Sequence, residues 1–156
     1  QERTLFNTSQ ILAEVLELLK NHPELRQVAI TQIPSGDHQA FGVPESFRQI
    51  ILNVMINAGH ALKGHETPKI TISLFESETH QSVHIQDNGP GITLEMKEQV
   101  FDPFFTTKSP GEGTGLGLAV SRAMALNMGG NLYLVDPDAQ SEEPGAEFVL
   151  ELPRAP

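Results

Sequence analysis

Residues 87–118 read Asp-Asn-Gly-Pro-Gly-Ile-Thr-Leu-Glu-Met-Lys-Glu-Gln-Val-Phe-Asp-Pro-Phe-Phe-Thr-Thr-Lys-Ser-Pro-Gly-Glu-Gly-Thr-Gly-Leu-Gly-Leu. Two glycine clusters, at 89–91 and at 111–117, bracket an aromatic-rich and helix-poor segment. Glycine at both ends lets the chain bend sharply and bring bare backbone close to a ligand, which is the layout of a hinged lid. The second cluster, with Gly111, Gly113, Gly115 and Gly117 in alternation, runs into Leu118-Ala119-Val120-Ser121-Arg122-Ala123-Met124-Ala125-Leu126, an apolar-periodic run that reads as a helix. Unpaired N–H groups at a helix start, with no side chains in the way, form a phosphate site. The turn therefore reads as nucleotide-binding.

Two common glycine signatures are excluded. Leu116 and Leu118 fall where the dinucleotide fingerprint G-x-G-x-x-G needs its third glycine, and no Gly-Lys-Ser/Thr occurs in the chain. The phosphate site belongs to another class.

Outward from this stretch, residues 82–86 alternate Val83 and Ile85 with polar neighbours and form a strand that delivers Asp87 to its end. Residues 69–76, with Ile70, Ile72 and Leu74, form the strand beside it. At a strand end, a carboxylate followed by glycines accepts a hydrogen bond from a ligand's exocyclic amine or simply forms an Asx turn. Residues 44–62 begin with proline at a first helical turn and place Phe47, Ile50, Ile51, Val54, Ala58, Ala61 and Leu62 at helical spacing. Asn53 and Asn57 share one face of that helix, at the edge of the apolar stripe. Either both amides cap nearby backbone, or one carboxamide oxygen ligates a hard cation such as magnesium.

Residues 4–6 read as a short strand, and Asn7-Thr8-Ser9-Gln10 as the cap of a helix carrying Ile11, Leu12, Val15, Leu16, Leu18 and Leu19. Residues 27–33 and 39–43 read as strands joined by a hairpin or similar turn at Pro34-Ser35-Gly36-Asp37. His22-Pro23-Glu24-Leu25-Arg26, between helix and strand, reads as a solvated loop in preference to a phosphoacceptor. His80 and His84 are four apart but flank a turn and a strand, which does not bring them to one metal. Gly129-Gly130 ends the last helix, and residues 131–135 and 146–152 supply two closing strands.

The formal charge of −10 argues against a nucleic-acid groove and against attraction to anionic lipid, so an anionic ligand needs local help from a metal or helix ends. With no cysteine, disulfides and thiolate metal sites are excluded, in keeping with a cytoplasmic location. At 156 residues the chain reads as one domain, and its start at Gln1 reads as a piece of a longer protein.

An Asn-x-x-x-Asn helix, an Asp-x-Gly-x-Gly turn, a Phe-rich lid and a Gly-x-Gly-x-Gly turn, in that order over about residues 8–152, resemble the catalytic ATP-binding domain of sensor histidine kinases. That family lies within the superfamily of gyrase-, MutL- and histidine-kinase-type ATP sites. The resemblance implies a Bergerat-type α/β fold, a two-layer sandwich. A mixed sheet packs on three main helices (8–20, 44–62 and 114–128), with an ATP lid at about 92–113. Asn57 resembles the Mg²⁺ ligand and Asp87 the acid that hydrogen-bonds the adenine amino group. Gly89 and Gly91, with Ile92 following, allow adenine's approach. Gly113, Thr114, Gly115, Leu116, Gly117 and Leu118 form the turn whose N–H groups meet the phosphates. Phe101, Phe104 and Phe105 match the family's F-box and anchor the lid. Beyond them Thr107 and Lys108 border the site, Lys108 as a phosphate contact or a solvated lysine.

Two positions distinguish this chain within the resemblance. Hydrolysing members place a Glu general base where Asn53 stands, so Asn53 favours transfer to an external acceptor. His60 falls where many members carry a lysine or another polar residue facing the phosphates. The acceptor histidine is expected on a dimerisation hairpin upstream, with a response regulator as the parent protein's downstream partner and the parent free to be membrane-anchored. The short lid resembles the nitrogen-regulation-like branch. Rival readings are a conformational clamp, an anti-sigma-factor-type serine kinase, and a degenerate module that binds nucleotide or partner without transfer.

Overall fold

The computed structural model describes residues 2–105, 117–136 and 145–156. Along the chain these form β1 (Thr4–Asn7), α1 (Thr8–Leu19), β2 (Ala29–Gln32), β3 (Gln39–Gly42), α2 (Pro44–Ala61), β4 (Lys69–Glu76), β5 (His80–Asp87), α3 (Leu94–Gln99), α4 (Gly117–Asn127), β6 (Asn131–Leu134) and β7 (Glu147–Pro153). Alternation decides how the strands sit: Ile70, Ile72 and Leu74 of β4, Val83 and Ile85 of β5, and Phe148, Leu150 and Leu152 of β7 point to one face and are buried. Thr71, Ser73, His84 and Gln86 occupy the other face, partly or fully exposed. The buried face meets Leu12, Val15 and Leu19 of α1, Phe47, Ile50, Ile51, Val54 and Met55 of α2, and Ala125 of α4 in one hydrophobic cluster. This is a two-layer α/β sandwich, helices against one side of a sheet.

The sheet is mixed, with strand order β2-β4-β5-β7-β6. Its β2–β4 pair is parallel and the other pairs are antiparallel. A second, two-stranded sheet joins β1 to β3, pairing Thr4 with Gly42 and Asn7 with Gln39. The hairpin expected between residues 27–33 and 39–43 is therefore not formed. Ile30 pairs with Ile70 so that β2 extends the core-facing pattern of β4, while Ala40 and Gly42 of β3 are buried beside β1. A Cβ at Gly42 would lie 2.9 Å from Met128 Sδ, so β3 runs tight against the end of α4, away from the main sheet's edge. His38 holds the connection: its Nδ1 lies 2.9 Å from Glu76 Oε1, and its Nε2 lies 3.0 Å from the Ser35 carbonyl and 2.9 Å from the Ser35 hydroxyl.

The caps follow local chemistry. Asn7 Oδ1 accepts from Gln10 N at 2.9 Å and starts α1. Proline occupies the first turn of α2, with Glu45 beside the positive end of the dipole. The segment after Asp87, expected to be helix-poor, contains α3, capped by the Thr93 hydroxyl accepting from Met96 N at 3.1 Å. Leu94-Glu95-Met96-Lys97-Glu98-Gln99 are all good helix formers, which is sufficient cause once the cap is in place.

Candidate functional site

Three elements meet where the sequence motifs converge. On α2, successive residues advance by 100°, so Asn53, Asn57 and His60 fall within roughly 60° of one another around the helix. All three are half-buried, beside the fully buried stripe that faces the sheet. The turn after β5 packs on the C-terminal end of the same helix: a Cβ at Gly89 would lie 3.3 Å from the Ala61 carbonyl oxygen and 3.4 Å from Leu62 Cδ2. At the other end of the line, Asn53 meets the start of α4.

The two asparagines, equivalent in the sequence pattern, have different surroundings. Asn53 is committed to protein partners: its Nδ2 donates to Ser121 Oγ at 2.8 Å and to the Gly117 carbonyl at 3.3 Å, and its Oδ1 accepts from Gln49 Nε2 at 2.9 Å. It ties α2 to α4 at Gly117 and Ser121. Asn57 makes no side-chain hydrogen bond among the described residues. A half-buried carboxamide without an internal partner is what a ligand or cation would satisfy.

Asp87 is 5% exposed. Its Oδ1 accepts from Gly89 N at 2.9 Å and from Ala146 N at 3.2 Å, and among the described residues no donor takes Oδ2, which is left for one from outside. Burial pushes its carboxyl above the usual range, and the two backbone N–H groups pull it back in part. The backbone of Asp87 is also held, its N–H donating to the Ala146 carbonyl at 3.0 Å. Next to it Asn88 clamps the β4 entrance, Oδ1 accepting from Lys69 N at 2.8 Å and Nδ2 donating to the Thr67 carbonyl at 2.9 Å. Gly91 has φ +81, the left-handed region that glycine enters without strain. The chain then leaves toward Ile92, which packs against the core.

After α3, Phe101 sits edge-on to Phe148 with ring centroids 6.1 Å apart, and the Arg122 guanidinium lies 5.0 Å over its ring. Arg122 belongs to α4, so Phe101 joins the outgoing segment to both β7 and the returning helix. Phe105 is half-buried, whereas Phe104 is 72% exposed with φ +67 and anchors nothing among the described residues. Gly117 and Leu118 open α4. Thr107, Lys108, Gly113, Thr114, Gly115 and Leu116 lie outside the described residues, as does the expected helix start at 114.

Some participants went unread in the sequence. Ser121, fully buried within α4, is the partner that fixes Asn53; a hydroxyl one turn into the apolar-periodic run 118–126 was its signal. Ahead of β7, Ala146 N meets the Asp87 carboxylate and Gly145 packs on the Asp87 backbone carbonyl. No local pattern marks them, because that contact joins residues 59 apart. His80 and His84 both lie on β5, where four residues span about 13 Å. Each faces a carboxylate of β7 instead of a common point, His84 Nδ1 at 2.7 Å from Glu147 and His80 Nε2 at 4.0 Å from Glu151. No helix among the described residues is long and apolar enough to cross a membrane.

Comparison with known proteins places this geometry. Residues 42–156 match the family described as histidine kinase-, DNA gyrase B-, and HSP90-like ATPase. The two-component sensor PprA of Pseudomonas aeruginosa is 39% identical over 119 residues, covering 73% of this chain and 12% of that protein. The signal transduction histidine-protein kinase AtoS of Escherichia coli is 40% identical over 113 residues, covering 72% of this chain and 17% of that one. The chain thus spans less than a fifth of the length of either relative. Among solved structures, the catalytic domain of histidine kinase ThkA superposes with a TM-score of 0.82 at 29% identity, covering 100% of both chains.

Proposed function

The chain belongs to the histidine kinase-, DNA gyrase B- and HSP90-like ATPases, and on that premise we propose that it is the ATP-binding catalytic domain of a two-component sensor histidine kinase. It holds Mg-ATP and donates the γ-phosphoryl group to a histidine on the parent protein's dimerisation domain, from which a response regulator draws it. The observation that carries this reading is the pairing of two unfilled acceptors along one helix. Asn57 offers a carboxamide oxygen without a partner among the described residues, and one turn on, at the Ala61 end, Asp87 offers Oδ2 beside a glycine turn. An adenine amino group fits the second and a cation-bound phosphate the first.

The residues fit the metal. Mg²⁺ takes one or two protein oxygens and fills its shell with water and phosphate, so a single neutral carboxamide at Asn57 suffices. When bound, the ion neutralises charge on the phosphate oxygens. The protein's own contribution is positional. Asp87 and the Gly89–Gly91 turn fix the base, and Asn53 ties α4 to α2 at Gly117 and Ser121, on the end of α4 that follows the glycine turn assigned to the phosphates. His60 and Lys108 add contacts to the phosphate chain. In the transfer, the bond from the γ-phosphorus to the ADP oxygen breaks and a phosphorus–nitrogen bond forms on the acceptor imidazole. Asn53 carries no basic group to activate water, and its amide is already engaged, which favours transfer over hydrolysis.

Calorimetric titration with ADP and with a non-hydrolysable ATP analogue, with and without Mg²⁺, tests the binding half. Tighter binding with Mg²⁺ is expected. Asn57→Ala should remove most of that gain, a loss of about tenfold or more in the presence of the metal. Undiminished Mg²⁺ dependence in the variant would assign the ion to another ligand. The transfer half is tested by adding a dimerisation hairpin that carries the acceptor histidine and following acid-labile phosphate on it; no labelling with any such hairpin would leave a binding module.

A further inference from the structure

The turn His22-Pro23-Glu24-Leu25-Arg26, which reads as a solvated loop in the sequence, is built against the helix that carries the site. His22 Nδ1 accepts from Glu24 N at 3.0 Å, and the His22 carbonyl accepts from Leu25 N and Arg26 N at 2.9 Å each. Leu25 is 1% exposed in the core. The approach is close enough to demand glycine on α2: a Cβ at Gly59 would lie 2.6 Å from the Glu24 carbonyl oxygen and 2.8 Å from Leu25 Cδ2. Residue 59 stands immediately before His60, so the turn rests on the flank of the helix next to the site face.

What this docking delivers is the Glu24 carboxylate. Its Oε2 lies 3.6 Å from His60 Nδ1, and its Oε1 lies 3.7 Å from Lys63 Nζ. Oε2 is buried and has no hydrogen-bond partner among the described residues. A buried carboxylate oxygen in that state is costly unless a nearby donor takes it up. Facing it at that 3.6 Å is the imidazole of His60, one turn beyond Asn57.

We infer that Glu24 is a positioning residue for nucleotide binding: it fixes the His60 ring through Nδ1 from the flank, so that Nε2 is presented to the phosphates of the bound nucleotide. The inference rests on the phosphate role given to His60 above. It carries the sign opposite to direct repulsion. A negative charge beside a polyphosphate repels it, so if Glu24 acted only by that direct repulsion, its removal would tighten ATP binding. If it acts by holding His60, removal weakens binding.

The test is a double-mutant cycle by calorimetry on this chain, with the imido analogue of ATP and with adenosine as probes in Mg²⁺. The proteins are wild type, Glu24→Gln, His60→Ala and the double variant. Glu24→Gln should weaken the analogue about three- to fivefold, leave adenosine unchanged, and add nothing once His60 is alanine. Glu24→Asp, which keeps the charge but shortens its reach, should fall between wild type and Glu24→Gln and serves if the amide variant does not fold. Unchanged or tighter analogue binding in Glu24→Gln, alongside a loss in His60→Ala, overturns the positioning role and leaves the His60 contact standing. So does an effect of Glu24→Gln that persists without His60, which would point to Lys63. No loss in His60→Ala overturns both.

Discussion

Asp87→Asn should weaken ATP binding by about 1.5–3 kcal/mol, roughly ten- to hundredfold, and in the same protein raise the melting temperature of the nucleotide-free domain. The two effects have one cause. In the variant the amide oxygen can keep accepting from Gly89 N and Ala146 N, as Oδ1 does now. The amide nitrogen then stands where Oδ2 stood, so a donor faces the donor of the adenine amino group. Binding loses a charged hydrogen bond and gains an opposed pair.

The gain in stability follows from the raised carboxyl. Burial pushes Asp87 above its ordinary value of 3.8. Between that value and the raised one the folded chain holds a proton that the unfolded chain has released. Stability therefore falls as pH rises through this window, and the cost of the buried charge persists at neutral pH. An amide carries no such cost. The difference in melting temperature between variant and wild type should accordingly shrink as pH is lowered through the window, while wild-type affinity for ATP falls because the acceptor becomes protonated. Calorimetric titration and thermal melts from pH 4 to 8 check both. Equal ATP affinity would remove Asp87 from adenine recognition, and a variant less stable at pH 7 would mean that the two backbone hydrogen bonds outweigh desolvation.

Asp87 also shows what could be read from the sequence and what could not. Strand alternation at Val83 and Ile85 put it at a strand end, and the glycines after it announced a turn, all within a few residues. Helix α2 was equally legible, because Phe47 through Leu62 repeat at helical spacing and the asparagines fall on one face. The resemblance gave Asn53 and Asn57 different roles, but the hydrogen-bond partners that hold Asn53 and not Asn57 were not legible. That difference depends on Ser121 and Gly117, which reach Asn53 across 64 residues or more. The same limit explains the strand pairing. Residues 39–42 carry no local sign of whether they pair with β2 or β1, since register and partner are set by which side chains are buried and by the close approach to Met128. Helix α3 is a different case: Thr93 and the six residues after it state a capped helix plainly, and the bracketing glycines drew the reading away from it.

A large effect on stability should come from a residue outside every motif. Gly145 has φ +93, and a Cβ built there would fall well inside van der Waals contact with the Asp87 carbonyl oxygen. Gly145→Ala combines two costs. A left-handed backbone costs a non-glycine residue about 1–2 kcal/mol, and relief of the clash must move either the strand end at Asp87 or the start of β7. A total of at least about 3 kcal/mol is expected, which for a domain of this size lowers the melting temperature by roughly 6–12 °C. Any shift that relieves the clash also draws Ala146 N away from Asp87 Oδ1, so ATP affinity should fall more than stability alone explains, measured at a temperature where the variant remains folded. Gly36→Ala separates the two costs. Its φ is +82, but none of the described residues lies within 4 Å of the added methyl. It should cost only the backbone term, about 1–2 kcal/mol, and leave nucleotide binding intact. Should the two variants melt together and bind ATP alike, the packing of Gly145 on Asp87 contributes nothing to the site, and the acceptor geometry of Asp87 is set by Gly89 alone.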